Sequence, residues 1–287
     1  MSQPEFRFYK DQLVEAARRL VWKYCEGGPP YDPFKVARAL NVTVRLEHLD
    51  GVEGYTEYEN GQFLAVLASQ SVGTRRRFTL AHELGHVLLM SAAQRVPVTL
   101  RRYRGSKTPD LAHQDPVEET LCNAFAAELL LPEDEIRQRF IKGGPEPATV
   151  FDLATIYEVS IHASAKRVVK IVGKDRIGFS LWDCPRRRWF TPVWWTGLQM
   201  ANSSKALKML EGLVAEATEG RKEITECLPT IGRHARSGPS QTEIHITPLA
   251  GGNRSIICLR EPHSLSKVPP RLAKQTSREP AQLNLFS

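Results

Sequence analysis

Arg77-Phe78-Thr79-Leu80-Ala81-His82-Glu83-Leu84-Gly85-His86 decides how this chain is read. It holds a His-Glu-x-x-His pattern inside a run whose apolar residues recur at helical spacing. Four residues make roughly one helical turn, so His82 and His86 project from one face and can bind a single metal ion. Glu83 lies on the rim of that face, where a carboxylate polarises a metal-bound water rather than binding the metal. Phe78, Ala81, Leu84, Gly85 and Leu88 would bury the helix, and Gly85 would let another backbone come close. The competing reading is a core helix that happens to carry two histidines and a glutamate. A second helix argues against it.

That helix runs from Asp115 to Pro132. Asp115 suits the N-cap, Pro116 the first helical position, and Glu118 stands three residues after the cap, as in a capping box. Pro132 marks the end. Glu119, Asn123 and Ala126 share one face, and the small residues allow tight packing against the first helix. A catalytic zinc site with two histidines needs a third protein ligand and one open position. Glu119 is the candidate ligand, with Asn123 one turn on as its orienting neighbour. Glu118 reads as the capping residue.

Together these residues resemble the ImmA/IrrE-type metallopeptidases. Their signature is a Phe-Thr-x-Ala-His-Glu-x-Gly-His helix followed by Glu-x-x-x-Asn-x-x-Ala-Ala-x-x-Leu-x-Pro, and both parts stand here in order, as Phe78 to His86 and Glu119 to Pro132. The resemblance covers roughly residues 10 to 172 and implies a zincin-like domain. It implies Zn2+ held by His82, His86 and Glu119, with Glu83 as catalytic base. It also implies a protein substrate, a helix-turn-helix (XRE-type) repressor whose cleavage switches on stress or mobile-element genes. The long form looks like the IrrE branch, which controls a DNA-damage response.

The 287 residues are 41% hydrophobic and 25% charged, ordinary for about two globular domains. No amino-terminal apolar core suggests a signal peptide, and no run approaches the roughly 20 residues that span a membrane, so a cytoplasmic protein without membrane contact is expected. Cys25, Cys122, Cys184, Cys227 and Cys258 are scattered, without metal-site spacing, and read as reduced thiols. Through residue 172, 22 Lys and Arg balance 22 Asp and Glu; the remaining 17 against 10 carry the whole excess of +7. A basic second half suits nucleic acid, an acidic partner, or simply a solvated surface.

In chain order, residues 8 to 25 form an amphipathic helix ended by Gly27-Gly28-Pro29-Pro30, and Asp32-Pro33 caps a short helix through Leu40. Val42 to Leu46 is β-rich. Glu53 to Tyr58 and Gln62 to Ala68 flank Asn60-Gly61, a two-residue hairpin turn, so a small antiparallel sheet precedes the metal helix. Zincin-like proteases bind substrate beside an edge strand, and Gln62 to Ala68 is the candidate edge. Between the two ligand helices lies a long polar connection in which Tyr103 or His113 would donate to the tetrahedral oxyanion; a solvated basic loop is the alternative.

The expected organisation is α+β. Residues 1–142 form the zincin-like metallopeptidase domain and 143–173 a helix-turn-helix-like segment turning at Val159-Ser160, with Arg167 and Lys170 on its second helix. That segment either contacts DNA or packs under the catalytic domain. Residues 174–260 read as a smaller β-β-α-β-β domain, GAF-like by the IrrE resemblance and rich in tryptophan (Trp182, Trp189, Trp194, Trp195). Residues 261–287 have the composition of a disordered tail, yet end in Gln282-Leu283-Asn284-Leu285-Phe286-Ser287. Gln282, Leu283, Leu285 and Phe286 resemble the peptide by which bacterial proteins bind the DNA sliding clamp; folding back onto the second domain is the alternative. Two functions follow: a zinc endopeptidase acting on a repressor, or a non-cleaving regulator that binds DNA or repressor through its basic C-terminal half.

Overall fold

The computed structural model describes residues 2–93, 115–143, 146–174, 176–183, 191–197, 204–229, 241–249 and 254–260. Tyr103, His113 and the tail peptide 282–286 lie outside these residues. The chain divides into two compact units: Met1–Glu135 with Leu153–Ala163, and Ile136–Asp152 with Ser164–Ser287. The segment 143–173 is shared between them.

In the first unit, helix α1 (Gln3–Tyr24) begins five residues before the expected start. Ser2 and Glu5 form a reciprocal capping box there, so the first turn is held by polar caps rather than by apolar periodicity. Asp32 caps α2 (Pro33–Ala39) through the amide of Phe34. Strands β1 (Val42–Glu47), β2 (Gly54–Glu59) and β3 (Gln62–Ala68) follow. Asn60 and Gly61 both adopt positive φ, 51° and 82°, as the tight hairpin turn between β2 and β3 requires.

The sheet departs from expectation twice. It is mixed rather than antiparallel, because β1 pairs parallel to β3. Its order is β1-β3-β2, so Gln62–Ala68 is the central strand and the edge assignment is corrected. The physical reason lies in composition. Phe63-Leu64-Ala65-Val66-Leu67-Ala68 is continuously apolar, with Leu64 to Ala68 all buried, as a strand covered on both faces must be. β1 and β2 alternate with Arg, Glu and Thr, which suits edges.

Helix α3 (Gly73–Ala93) packs on β2 and β3, and α4 (Pro116–Leu130) packs on both α3 and α1. Ala81, Leu84 and Leu88 are buried as expected, and Leu80 with them, whereas Phe78 is 36% exposed and its ring stands 6.4 Å from that of His82. Glu128 of α4 is almost fully buried and accepts from Arg18 Nε at 2.8 Å, tying α1 to α4. Two glycines set the spacing. A Cβ on Gly54 would stand 2.8 Å from Thr79 Cγ2 and 2.9 Å from the carbonyl oxygen of Val66, so β2 lies close against α3. A Cβ on Gly85 would stand 3.0 Å from Cys122 Cα, so α3 and α4 meet almost backbone to backbone.

After α5 (Glu133–Gly143) and α6 (Pro147–Ile156), α7 (Ile161–Val172) follows a turn in which Glu158 has positive φ. Of the two basic residues on α7, Arg167 is 3% exposed, so its guanidinium is not presented to a nucleic acid, and Lys170 is exposed.

The second unit holds strands β4 (Ile177–Asp183), β5 (Thr191–Gly197), β6 (Ile224–Pro229), β7 (Gln241–Pro248) and β8 (Arg254–Arg260), with helix α8 (Ser204–Gly220) between β5 and β6. All pairings are antiparallel, in the order β5-β4-β8-β7-β6. β6 was not expected from the sequence. Trp182 is buried in the core between α8 and the sheet, with Leu210, Val214, Ala217, Ile244, Ile246 and Ile257, and its indole N–H donates to Ser180 Oγ. At the strand ends, Arg260 donates to both oxygens of Glu243 at 2.6 and 2.8 Å, and His245 Nε2 lies 2.9 Å from the same carboxylate.

Two outcomes are expected. Gly85→Val gains helix propensity but forces two methyl groups into Cys122, so thermal unfolding should show a net loss of roughly 1–3 kcal/mol. Arg260, then His245, hold the Glu243 carboxyl below its ordinary value of 4.5. A lowered carboxyl stabilises the fold fully above the unfolded pKa, and that stabilisation is lost as pH falls through the folded one. Glu243→Gln should therefore flatten the loss of stability on acidification below pH 4.5, read by denaturant titration across pH.

Candidate active site

His82 and His86 leave α3 one turn apart, on the side facing α4. Their Nε2 atoms lie 3.1 Å from each other. Glu119 of α4 brings Oε2 to 3.1 Å from His82 Nε2 and Oε1 to 3.3 Å from His86 Nε2. Ligand atoms of all three residues lie within 4.8 Å of one another, and they are the one such group among the described residues. Donors each about 2.0–2.1 Å from a tetrahedral ion stand about 3.3 Å apart, so the observed triangle has the size that a bound metal imposes. Two imidazoles and a carboxylate are also a donor set suited to a divalent ion.

The far ring nitrogens are held too. His82 Nδ1 donates to Asn123 Oδ1 at 3.2 Å. His86 Nδ1 donates to Glu118 Oε1 at 2.9 Å. Glu118 is thus no capping residue: it is 5% exposed, turned toward α3, and the cap is made by Asp115 alone, accepting from the amide of Val117. With each Nδ1–H engaged, both Nε2 atoms face the common centre.

Glu83 is 5% exposed. Thr56 Oγ1 on β2 donates to Glu83 Oε2 at 2.8 Å, with the main-chain oxygen of Glu83 at 3.2 Å. Nothing in the sequence singles out Thr56, and Glu118 reads there only as a cap. Thr56 lies 27 residues from Glu83, and the hydrophobic run of β3 was the one available signal that β2 is the edge beside the helix.

The electrostatics follow from this packing. Hydrogen bonds from His82 and His86 lower the Glu119 carboxyl to about 2. Burial raises that of Glu83, with His86, His82 and Thr56 pulling the other way. Burial opposes charge on His86, but contacts with Cys122, Glu118 and Glu119 outweigh it and hold its pKa well above the usual histidine value. Burial pushes the Cys122 thiol up to about 11, which makes it an inert packing group beside Gly85. A cluster of carboxylates around two imidazoles therefore retains a proton that a cation would replace.

The model of the IrrE N-terminal-like domain matches residues 37–169. The radiation response metalloprotease IrrE of Deinococcus deserti is 30% identical over 155 residues, 52% of this chain and 52% of that one. Its namesake from Deinococcus radiodurans is 37% identical over 86 residues, 30% of this chain and 24% of that one. The chain thus spans about half the length of the first relative and a quarter of the second. A solved Mycobacterium tuberculosis transcriptional regulator superposes with a TM-score of 0.49 at 12% identity, over 93% of this chain and 97% of that one. The domain match over 37–169 takes in both ligand helices, so this part of the chain is similar to the IrrE N-terminal-like domain.

Proposed function

We propose that this chain is a zinc-dependent endopeptidase. The observation that carries it is the convergence of His82, His86 and Glu119 on one point beside a buried Glu83. When bound there, zinc supplies a Lewis acid that lowers the pKa of a water to about 7. His82, His86 and Glu119 would hold the ion, while Asn123 and Glu118 keep each imidazole in the tautomer that offers Nε2. Glu83 takes the proton from the attacking water and delivers it to the leaving amine. Its raised pKa suits both halves of that transfer.

The substrate strand pairs with β2, the sheet edge whose Thr56 touches Glu83, rather than with β3. A helix-turn-helix repressor is the proposed substrate, supported by the family and by relatives named for the radiation response. The second unit would act as a GAF-like sensor domain, and the buried Cys25, Cys122 and Cys258, which form no disulfide, suit a reducing cytoplasm. The non-cleaving alternative, a regulator that binds DNA or a repressor through the basic C-terminal half, has one candidate contact fewer, since Arg167 is buried.

Incubation with a helix-turn-helix repressor encoded by the same genome tests this reading. Glu83→Gln should keep zinc and lose cleavage by about 10²–10⁴-fold or more, since the general base is removed. Cleavage that survives in this variant sinks the mechanism. Glu118→Gln keeps the shape but removes the anionic partner of His86, so competition with a chelator should show zinc affinity reduced about 10–100-fold. Unchanged affinity would relegate Glu118 to packing.

A further inference from the structure

The hairpin geometry determines which backbone groups β2 leaves free. A two-residue turn at Asn60-Gly61 makes Glu59 and Gln62 a hydrogen-bonded pair, and pairs alternate from there. Glu57, Tyr55 and Glu53 then turn their N–H and C=O toward β3, in accord with the amide of Ala68 donating to the Glu53 carbonyl at 2.8 Å. Tyr58, Thr56 and Gly54 turn theirs to the other side. Among the described residues no strand pairs there.

Thr56 therefore occupies two positions at once. Its main chain faces the open edge, and its side chain, standing off the sheet toward α3, donates to Glu83 Oε2 at 2.8 Å. Gly54, two residues earlier on the same face, permits this reach, because any Cβ there would strike Thr79 and hold β2 away from α3.

We propose that Thr56 is a positioning residue that fixes Glu83 Oε2 from the same strand position at which a substrate's main chain pairs. One carboxylate oxygen is anchored, and the other is left to handle the proton. A peptide that pairs at Thr56 is then in register with the base, since both are referred to one residue rather than to two independently moving elements. This inference rests on the peptidase reading of the site.

The test uses the full zinc-loaded chain and a dipeptide hydroxamate, a probe that chelates the metal and shares its proton with the base carboxylate. Its affinity thus reports where Glu83 sits without any substrate being known. Binding is measured by calorimetry, with zinc content and melting temperature recorded for every variant. Thr56→Val, which keeps the β-branched shape but not the donor, should weaken binding about tenfold, the order expected for one hydrogen bond to a charged group. Thr56→Ala serves as a second deletion should the valine variant fold poorly, with the same result expected. Thr56→Ser should stay within about twofold of the parent chain, because the donor is restored. In a Glu83→Gln background the Thr56→Val loss should shrink to about twofold or less. Equal losses in both backgrounds, or none in either, overturn the proposal while leaving the peptidase reading intact. Failure of the parent chain to bind the hydroxamate at full zinc occupancy overturns the peptidase reading itself, and Thr56 with it.

Discussion

The close approach of α3 and α4 at Gly85 and Cys122 is the contact on which the site depends. With 3.0 Å between a would-be Cβ and the opposing Cα, no side chain separates the helices. That closeness lets three residues of α4 reach four different atoms on α3. Glu119 meets both Nε2 atoms, Glu118 one Nδ1 and Asn123 the other. A helix pair spaced by an ordinary side-chain layer, at the usual 8–10 Å between axes, would put short carboxylates and amides out of range of at least some of these contacts.

The same packing concentrates charge. Glu83 and Glu118 are buried, Glu119 is half-buried, and the counter-charges at hand are His82 and His86. Buried carboxylates are costly unless paired, and here pairing requires that His86 stay protonated or that a cation take its proton's place. The raised pKa of His86 is the fold's answer in protons. A divalent ion satisfies the same field more completely, which couples metal binding to the stability of the helix pair. The elements beyond it serve as braces: α1 clamps α4 through Arg18 and Glu128, and β2 clamps α3 through Thr56 and the bare backbone of Gly54.

The second unit obeys a simpler logic. A continuous antiparallel sheet buries one face against α8, with Trp182 at the centre, and its polar contacts gather at strand ends where water remains accessible. Among the described residues it holds no group of three metal-ligating side chains like that of the first unit. Its β6 escaped notice because Ile224-Thr225-Glu226-Cys227-Leu228-Pro229 is a short edge strand ending in proline, whose pattern matches a loop as well as a strand.

What the sequence determined by itself was everything local. The His-Glu-x-x-His spacing, the Asp115 cap, the Asn60-Gly61 turn and the Glu119/Asn123 face follow from helical and strand periods within a few residues of chain. The continuous apolar run of β3 already carried the signal for a central strand. Tertiary structure alone decided the rest. That Glu118 turns to His86 rather than capping its own helix, that Thr56 holds Glu83, that β1 runs parallel to β3, and that Arg167 is buried all depend on other elements. The first two contacts join residues 32 and 27 positions apart. A cap and a buried hydrogen bond compete for the same carboxylate. The winner is set by which partner loses its water, and that is settled only when the elements pack.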